Sequence, residues 1–192
     1  MKNNRICSLL VIFLMTFLFS KSVPADDLDN LFNQVEKLNL VRHGYVLGAA
    51  LTREQMKKAV AGKVDAASKG TFKFRDRNVF VVVRQTTQRI VVIYERLEDA
   101  TRPQIQDLIG GLYLSFGDPT VMAHDKVVYW AYDEKGKILS EKYDTAKKNM
   151  KKIGILATVK CISDIPIMGN QKESSRSQVY YIISSEPILK LL

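Results

Sequence analysis

Two runs of β-branched and aromatic residues, Val79 to Val83 and Ile90 to Tyr94, constrain the fold of this chain more than any other feature. Each is the length of one strand and almost free of polar residues. The polar stretch Arg84 to Arg89 between them predicts a hairpin. A sheet covered on one face alternates apolar and polar positions. These runs do not alternate, so the sequence predicts a cover over the second face as well. The candidates are an N-terminal helix, a second copy of the chain, a foreign protein or a lipid-like ligand.

The helix is read from Asp27 to Asn39, where Leu28, Leu31, Phe32, Val35 and Leu38 recur at three- and four-residue intervals. Asp26 and Asp27 suit its N-terminal end. A loop with Gly44 and Gly48 follows, and Thr52 with Gln55 spells a capping box for a second helix that stops at Gly62. Phe72 and Phe74, alternating with Thr71, Lys73 and Arg75, predict a half-exposed strand ahead of the hairpin. A third helix begins at Thr101, tolerates Pro103 in its first turn, and carries the stripe Ile105, Leu108, Ile109, Leu112, Phe116 up to the turn Gly117-Asp118-Pro119.

A second hairpin is predicted from Val127 to Tyr132 and Ile138 to Tyr143 across Asp133 to Gly136. A basic turn or short helix capped by Asp144 follows, then strands Ile153 to Asp164 and Val179 to Ser185 around the polar, mobile loop 169–178. The expected class is α+β, helices packed on an antiparallel sheet, as two tandem αββ units, 52–94 and 101–143, plus a C-terminal hairpin. The repeat rests on matched Thr, Arg, Gln and Gly between 52–62 and 101–111, with Val79 set against Val127 and Ile90 against Ile138.

The second unit runs Thr101-x-x-Gln104-Ile105, then Phe116-Gly117-Asp118-Pro119-Thr120, then Tyr129-Trp130-Ala131-Tyr132. In this it resembles the SmpA/OmlA (BamE-like) domains, whose Thr-x-x-Gln-Val helix leads to Gly-x-Pro and a strand with Trp-x-Tyr. It is similar too to the tandem β-lactamase-inhibitor proteins. The likeness covers 101–143 and, more faintly, 52–94. It implies a small envelope protein that binds other proteins. No lipobox cysteine follows the apolar run, and Thr101 to Gly117 is longer than the motif, so outer-membrane anchoring is not carried over.

Residues 1–25 read as a cleavable secretory signal peptide. Lys2 and Arg5 precede a 14-residue apolar run, Ile6 to Phe19, and Val23-Pro24-Ala25 offers small residues at −3 and −1. The run is too short to span a bilayer, which takes ~20 apolar residues. The expected product is a single domain, 26–192, with no transmembrane segment, in the periplasm or outside the cell. Lys2, Arg5 and Lys21 leave with the peptide, so 26 of 29 basic residues remain against 20 acidic ones, a net +6. For an exported protein this points away from nucleic acid and toward anionic lipid, envelope polymers or an acidic protein. Of the two cysteines, Cys7 would also leave, and Cys161 reads as a small buried hydrophobe.

No catalytic residue, metal site or cofactor is assigned. His43 and His124 lack paired ligand spacing, and Ser184 and Ser185 have no oriented base in view. Asp133-Glu134 and Glu98-Asp99 read as turn and helix-start chemistry. Two binding surfaces are expected. One is Lys147, Lys148, Lys151 and Lys152, which on a continuous helix stack at i,i+4, repel, and would welcome an anionic partner. The other is aromatic: Tyr129, Trp130 and Tyr132, each of which also suits a core. The sequence reading is therefore a non-catalytic exported protein-interaction module whose partner is another envelope protein or an anionic envelope component. The runner-up is a carrier of a hydrophobic or lipid-like ligand, and a hydrolase comes third.

Overall fold

The computed structural model describes residues 25–64, 68–167 and 176–192. The signal-peptide reading, apart from Ala25, and most of the predicted mobile loop lie outside them. In chain order the elements are α1 (Ala25–Lys37), a hairpin of β1 (Val41–Arg42) and β2 (Tyr45–Val46), α2 (Arg53–Ala61), β3 (Lys63–Val64), β4 (Thr71–Asp76), β5 (Val79–Arg84) and β6 (Ile90–Ala100). Then come α3 (Arg102–Phe116), β7 (Val121–Ala123), β8 (Val127–Asp133), β9 (Gly136–Lys137), α4 (Ser140–Lys148), β10 (Ala157–Ser163), β11 (Ser177–Ser184) and α5 (Glu186–Leu189). The class is α+β, with helices on an antiparallel sheet ordered β3-β4-β5-β6-β11-β10-β8-β7, and β9 beside β8. A helix precedes β3 to β6 and another precedes β7 to β11, and the two sets meet where β6 pairs with β11.

Helices α2 and α3 start as their sequences dictate. Thr52 accepts from the Gln55 N–H while the Gln55 side chain takes the Thr52 N–H, and Thr101 and Gln104 repeat the arrangement. Each box satisfies two of the N–H groups a helix start leaves unpaired. Thr101→Ala is expected to lower stability by about 1 kcal/mol in a urea melt.

The register decides where the core lies. Phe74, Val81, Ile93, Ile183, Val159 and Trp130 pair in a row across six strands. All six are fully buried. The next row on that face holds Val79, Glu95, Tyr181, Cys161 and Val128. The helices pack here. Tyr113 and Phe116 of α3 meet the Trp130 ring at 5.9 and 5.8 Å. Lys58 of α2 reaches Asp76 at 2.8 Å, and Tyr45 meets Phe74 edge-on. Gln34 and Lys37 of α1, with Leu38 just beyond its end, flank Tyr132. Cys161 is buried as expected, and burial pushes its thiol up to about 12. Ile105, Ile109 and Leu112 are the buried members of the α3 stripe, while Leu108 and Phe116 are only half-buried. Gly48, at φ +86, lies so near α1 that a Cβ would stand 2.8 Å from the Glu36 nitrogen.

Three expectations are corrected. The N-terminal helix does not cover the second face; it joins α2 and α3 on the first. Ile138 to Tyr143 is not a strand. Thr120 Oγ1 accepts the Ala131 N–H and donates to the Ile138 carbonyl, occupying groups a continuing ladder would use. The chain then turns into α4, leaving that edge of β8 to the short β7 and β9, while β10 pairs along the other edge. The helix there begins at Ser140 with Leu139 as N-cap, and Asp144 sits inside it.

Candidate functional site

Every second residue of the central strands points away from the helices. On that face one row runs Arg75, Phe80, Tyr94, Ile182, Lys160, Tyr129. Beside it lie Lys73, Val82 and Val92, and on the other flank Arg96, Tyr180 and Ile162. Among the described residues, α4 reaches this face through Tyr143, which meets Tyr129 edge-on at 6.2 Å with the hydroxyls 2.9 Å apart, and Glu186 of α5 lies near Lys160. Elsewhere Phe80, Val82, Val92, Tyr94, Tyr180 and Ile182 are half-buried, shielded by one another rather than by a covering layer.

The face combines aromatic area with positive charge. Phe80 and Tyr94 stack at 4.8 Å and 9°. Arg75 lies over Phe80 at 5.3 Å, Arg96 over Tyr180 at 5.9 Å and Lys160 over Tyr129 at 6.0 Å. Such cation–π pairs hold long side chains flat on the rings. Arg96 also pairs with Glu98 at 3.2 Å, and Lys160 lies near enough to Glu186 of α5 to lower that carboxyl, whereas Lys73 and Arg75 form no ion pair among the described residues. Burial raises the Tyr94 and Tyr129 phenols, and the Tyr143 hydroxyl raises the latter further. Both rings therefore stay neutral near pH 7.

The predicted surfaces divide. Strand alternation separates the three aromatics. Tyr129 faces outward, but Trp130 is fully buried with Nε1 donating to the Gly117 carbonyl at 2.8 Å, and Tyr132 is 8% exposed on the helix side. The aromatic surface expected from Tyr129, Trp130 and Tyr132 is thus not one surface. Phe80, Tyr94, Tyr180 and Ile182, which the sequence reading did not single out, share the outward face with Tyr129 instead. Their signal was the i,i+2 spacing of 80/82, 92/94 and 180/182 beside cations at 73, 75, 96 and 160.

Lys147, Lys148, Lys151 and Lys152 are all exposed, but not on one helix. Met150 takes φ +51, its N–H bonds to the Lys147 carbonyl, and the Lys151 N–H bonds back to Ala146. This Schellman closure ends α4, so the expected i,i+4 stacking does not form. The four remain neighbours and line, in part, a groove with Lys142, Thr145 and Asn149. Lys142 itself is held by Asp133 at 2.6 Å, which keeps that carboxyl below its usual range. Replacing the four lysines with Gln is expected to change the urea midpoint by less than ~0.5 kcal/mol equivalent.

The remaining polar candidates have structural roles. Asp133 takes the Lys135 N–H in its turn, Ser185 caps α5, and His124 sits at φ +52 between β7 and β8. His43 and Gly44, at φ +50 and +81, form the two-residue turn of β1–β2. His43 Nε2 lies 2.7 Å from Glu95. Among the described residues no three His, Cys, Asp or Glu side chains gather to hold a metal, and no helix is long and apolar enough to cross a membrane. Comparison with family models, with curated proteins and with solved structures finds no match.

Proposed function

We propose that this chain is an exported, non-catalytic protein-interaction module of the cell envelope, and that the uncovered face of its sheet docks an acidic protein surface. The observation that carries the reading is the face itself, stacked Phe80 and Tyr94 among Val82, Val92, Tyr180 and Ile182, rimmed by Lys73, Arg75, Arg96 and Lys160. Aromatic anchors supply binding energy when they are desolvated at an interface centre. Arginine and lysine around them select an acidic counterpart and speed encounter. The lysines of α4 and beyond extend the same charge from the β8 side. Export follows from the N-terminal pattern, and the likeness of residues 101–143 to SmpA/OmlA domains and tandem β-lactamase-inhibitor proteins supports a protein-binding role.

Cross-linking in native envelopes followed by native mass spectrometry tests the reading. The expected result is one acidic protein in fixed stoichiometry. It is lost when Phe80 and Tyr94 become Ala, and its affinity falls at least tenfold in Arg75→Glu/Arg96→Glu. Retention of the partner by both variants would place docking elsewhere. Retention on anionic vesicles in place of a protein would make the partner a membrane surface.

A further inference from the structure

On the helix side, the β1–β2 hairpin and α3 stand apart over the sheet. The cleft between them measures about 600 Å³, within the ~300–1,000 Å³ of small-molecule sites. Val41, Leu108 and Phe116 wall it together with the polar Asn39, Arg42 and Ser115, and Tyr181 comes from the sheet beneath. Three features there bear on what the cleft could hold.

First, α3 is bared by glycine where it meets the cleft. Gly110 and Gly111 lie mid-helix, where glycine is destabilising, yet a Cβ at either would meet nothing within 4 Å. Gly111 lines the cleft. Glycine at a position with room for a side chain allows something else to approach the backbone. Second, Tyr181 is 1% exposed, and among the described residues its hydroxyl has no hydrogen-bond partner. That hydroxyl is not sealed from solvent, since among the described residues the buried side-chain polar atom without a partner is Thr87 Oγ1; the Tyr181 oxygen opens onto the cleft. Third, the cleft offers no free cation. The Arg42 guanidinium is committed to Glu95 through Nε and Nη2, and Asp107 adds a carboxylate at the rim. An anionic ligand is disfavoured there, and an uncharged one is not.

We propose that this cleft binds an uncharged acyl-chain lipid, its chain lying along the backbone bared at Gly111 and an ester or hydroxyl oxygen accepting from Tyr181. The site is separate from the sheet face and uses none of its residues.

The purified protein, loaded with the neutral fluorophore N-phenyl-1-naphthylamine, is titrated with 1-monolauroylglycerol below its micellar concentration. The ester is expected to displace the fluorophore, and laurate, with the same chain and an anionic head, to do so at least tenfold more weakly. Gly111→Leu puts a side chain into the cleft and removes a helix glycine. It should melt no lower than the native protein and bind both compounds at least tenfold more weakly. Tyr181→Phe removes only the unpartnered hydroxyl. It should weaken the ester about fivefold, the worth of one hydrogen bond, and leave the fluorophore unchanged. Phe80→Ala/Tyr94→Ala should bind the ester as the native protein does, so the two proposals stand or fall apart. Failure of the native protein to bind, unchanged binding by Gly111→Leu, or laurate binding as tightly as the ester would overturn the assignment.

Discussion

Trp130→Ala is expected to lower the unfolding free energy by about 3–5 kcal/mol, the cost of emptying a large aromatic site in a packed core. A domain of this kind has about 5–15 kcal/mol in all. Trp130 is fully buried at the end of the row that crosses the sheet through Phe74, and it is where α3 attaches. Tyr113 meets it edge-on and Phe116 at a tilt, so both ends of the helix's last turn rest on one ring. Its Nε1 also takes the carbonyl of Gly117, the residue that closes α3. Trp130→Phe keeps the ring contacts in part but frees that carbonyl, and should cost about 1–3 kcal/mol. Urea melts followed by circular dichroism check both, because Trp130 is the chain's one tryptophan and its removal silences intrinsic fluorescence. A loss below about 1 kcal/mol in the alanine variant would mean that α3 is held elsewhere.

What could be read from the sequence was local. The capping boxes at Thr52 and Thr101 need two residues three apart, and both formed as spelled. Cys161 is on the helix-side face because it follows Ala157 and Val159 at a spacing of two. What escaped depended on residues distant in the chain. Ile138 to Tyr143 has a strand's composition, but Thr120, eighteen residues earlier, takes the backbone groups that the strand would have needed. The lysine cluster was found, yet its geometry turned on Met150 entering a left-handed conformation, a role for which glycine is the usual signal. The uncovered face was half legible. The lack of alternation in Val79 to Val83 showed two apolar faces, but only the packing of α1 beside α2 and α3 shows which of them those three helices cover.

Arg42→Ala is expected to cost about 2–4 kcal/mol near pH 7, out of proportion to a residue with 30% of its side chain exposed. The reason lies with its partner. Glu95 is 6% exposed, between Val79 and Tyr181 on the core face, and it receives both Nε and Nη2 of Arg42, at 2.6 and 2.8 Å. Burial alone would push the Glu95 carboxyl up; the hydrogen bonds and charge of Arg42, with a smaller share from His43, outweigh it and hold it below its ordinary value. A depressed acid contributes stability above its unfolded pKa, and that contribution is lost as pH falls through the lower folded value. Without Arg42 the balance reverses. The buried carboxylate then opposes folding at neutral pH, and protonation relieves it. The gap between native and variant should therefore narrow as pH falls through the variant's raised Glu95 value, and close fully only below the depressed value of the native carboxyl, under the ordinary glutamate region. Removing both charges, as Arg42→Met/Glu95→Leu, should restore stability to within about 1 kcal/mol of native, since a buried pair exchanged for apolar groups is often neutral. Urea melts of the three proteins at pH 7 and pH 4 decide it. A single variant as unstable at pH 4 as at pH 7 would show that Arg42 acts through its stacking on Tyr181, at 4.7 Å, and not through the charge it places on Glu95.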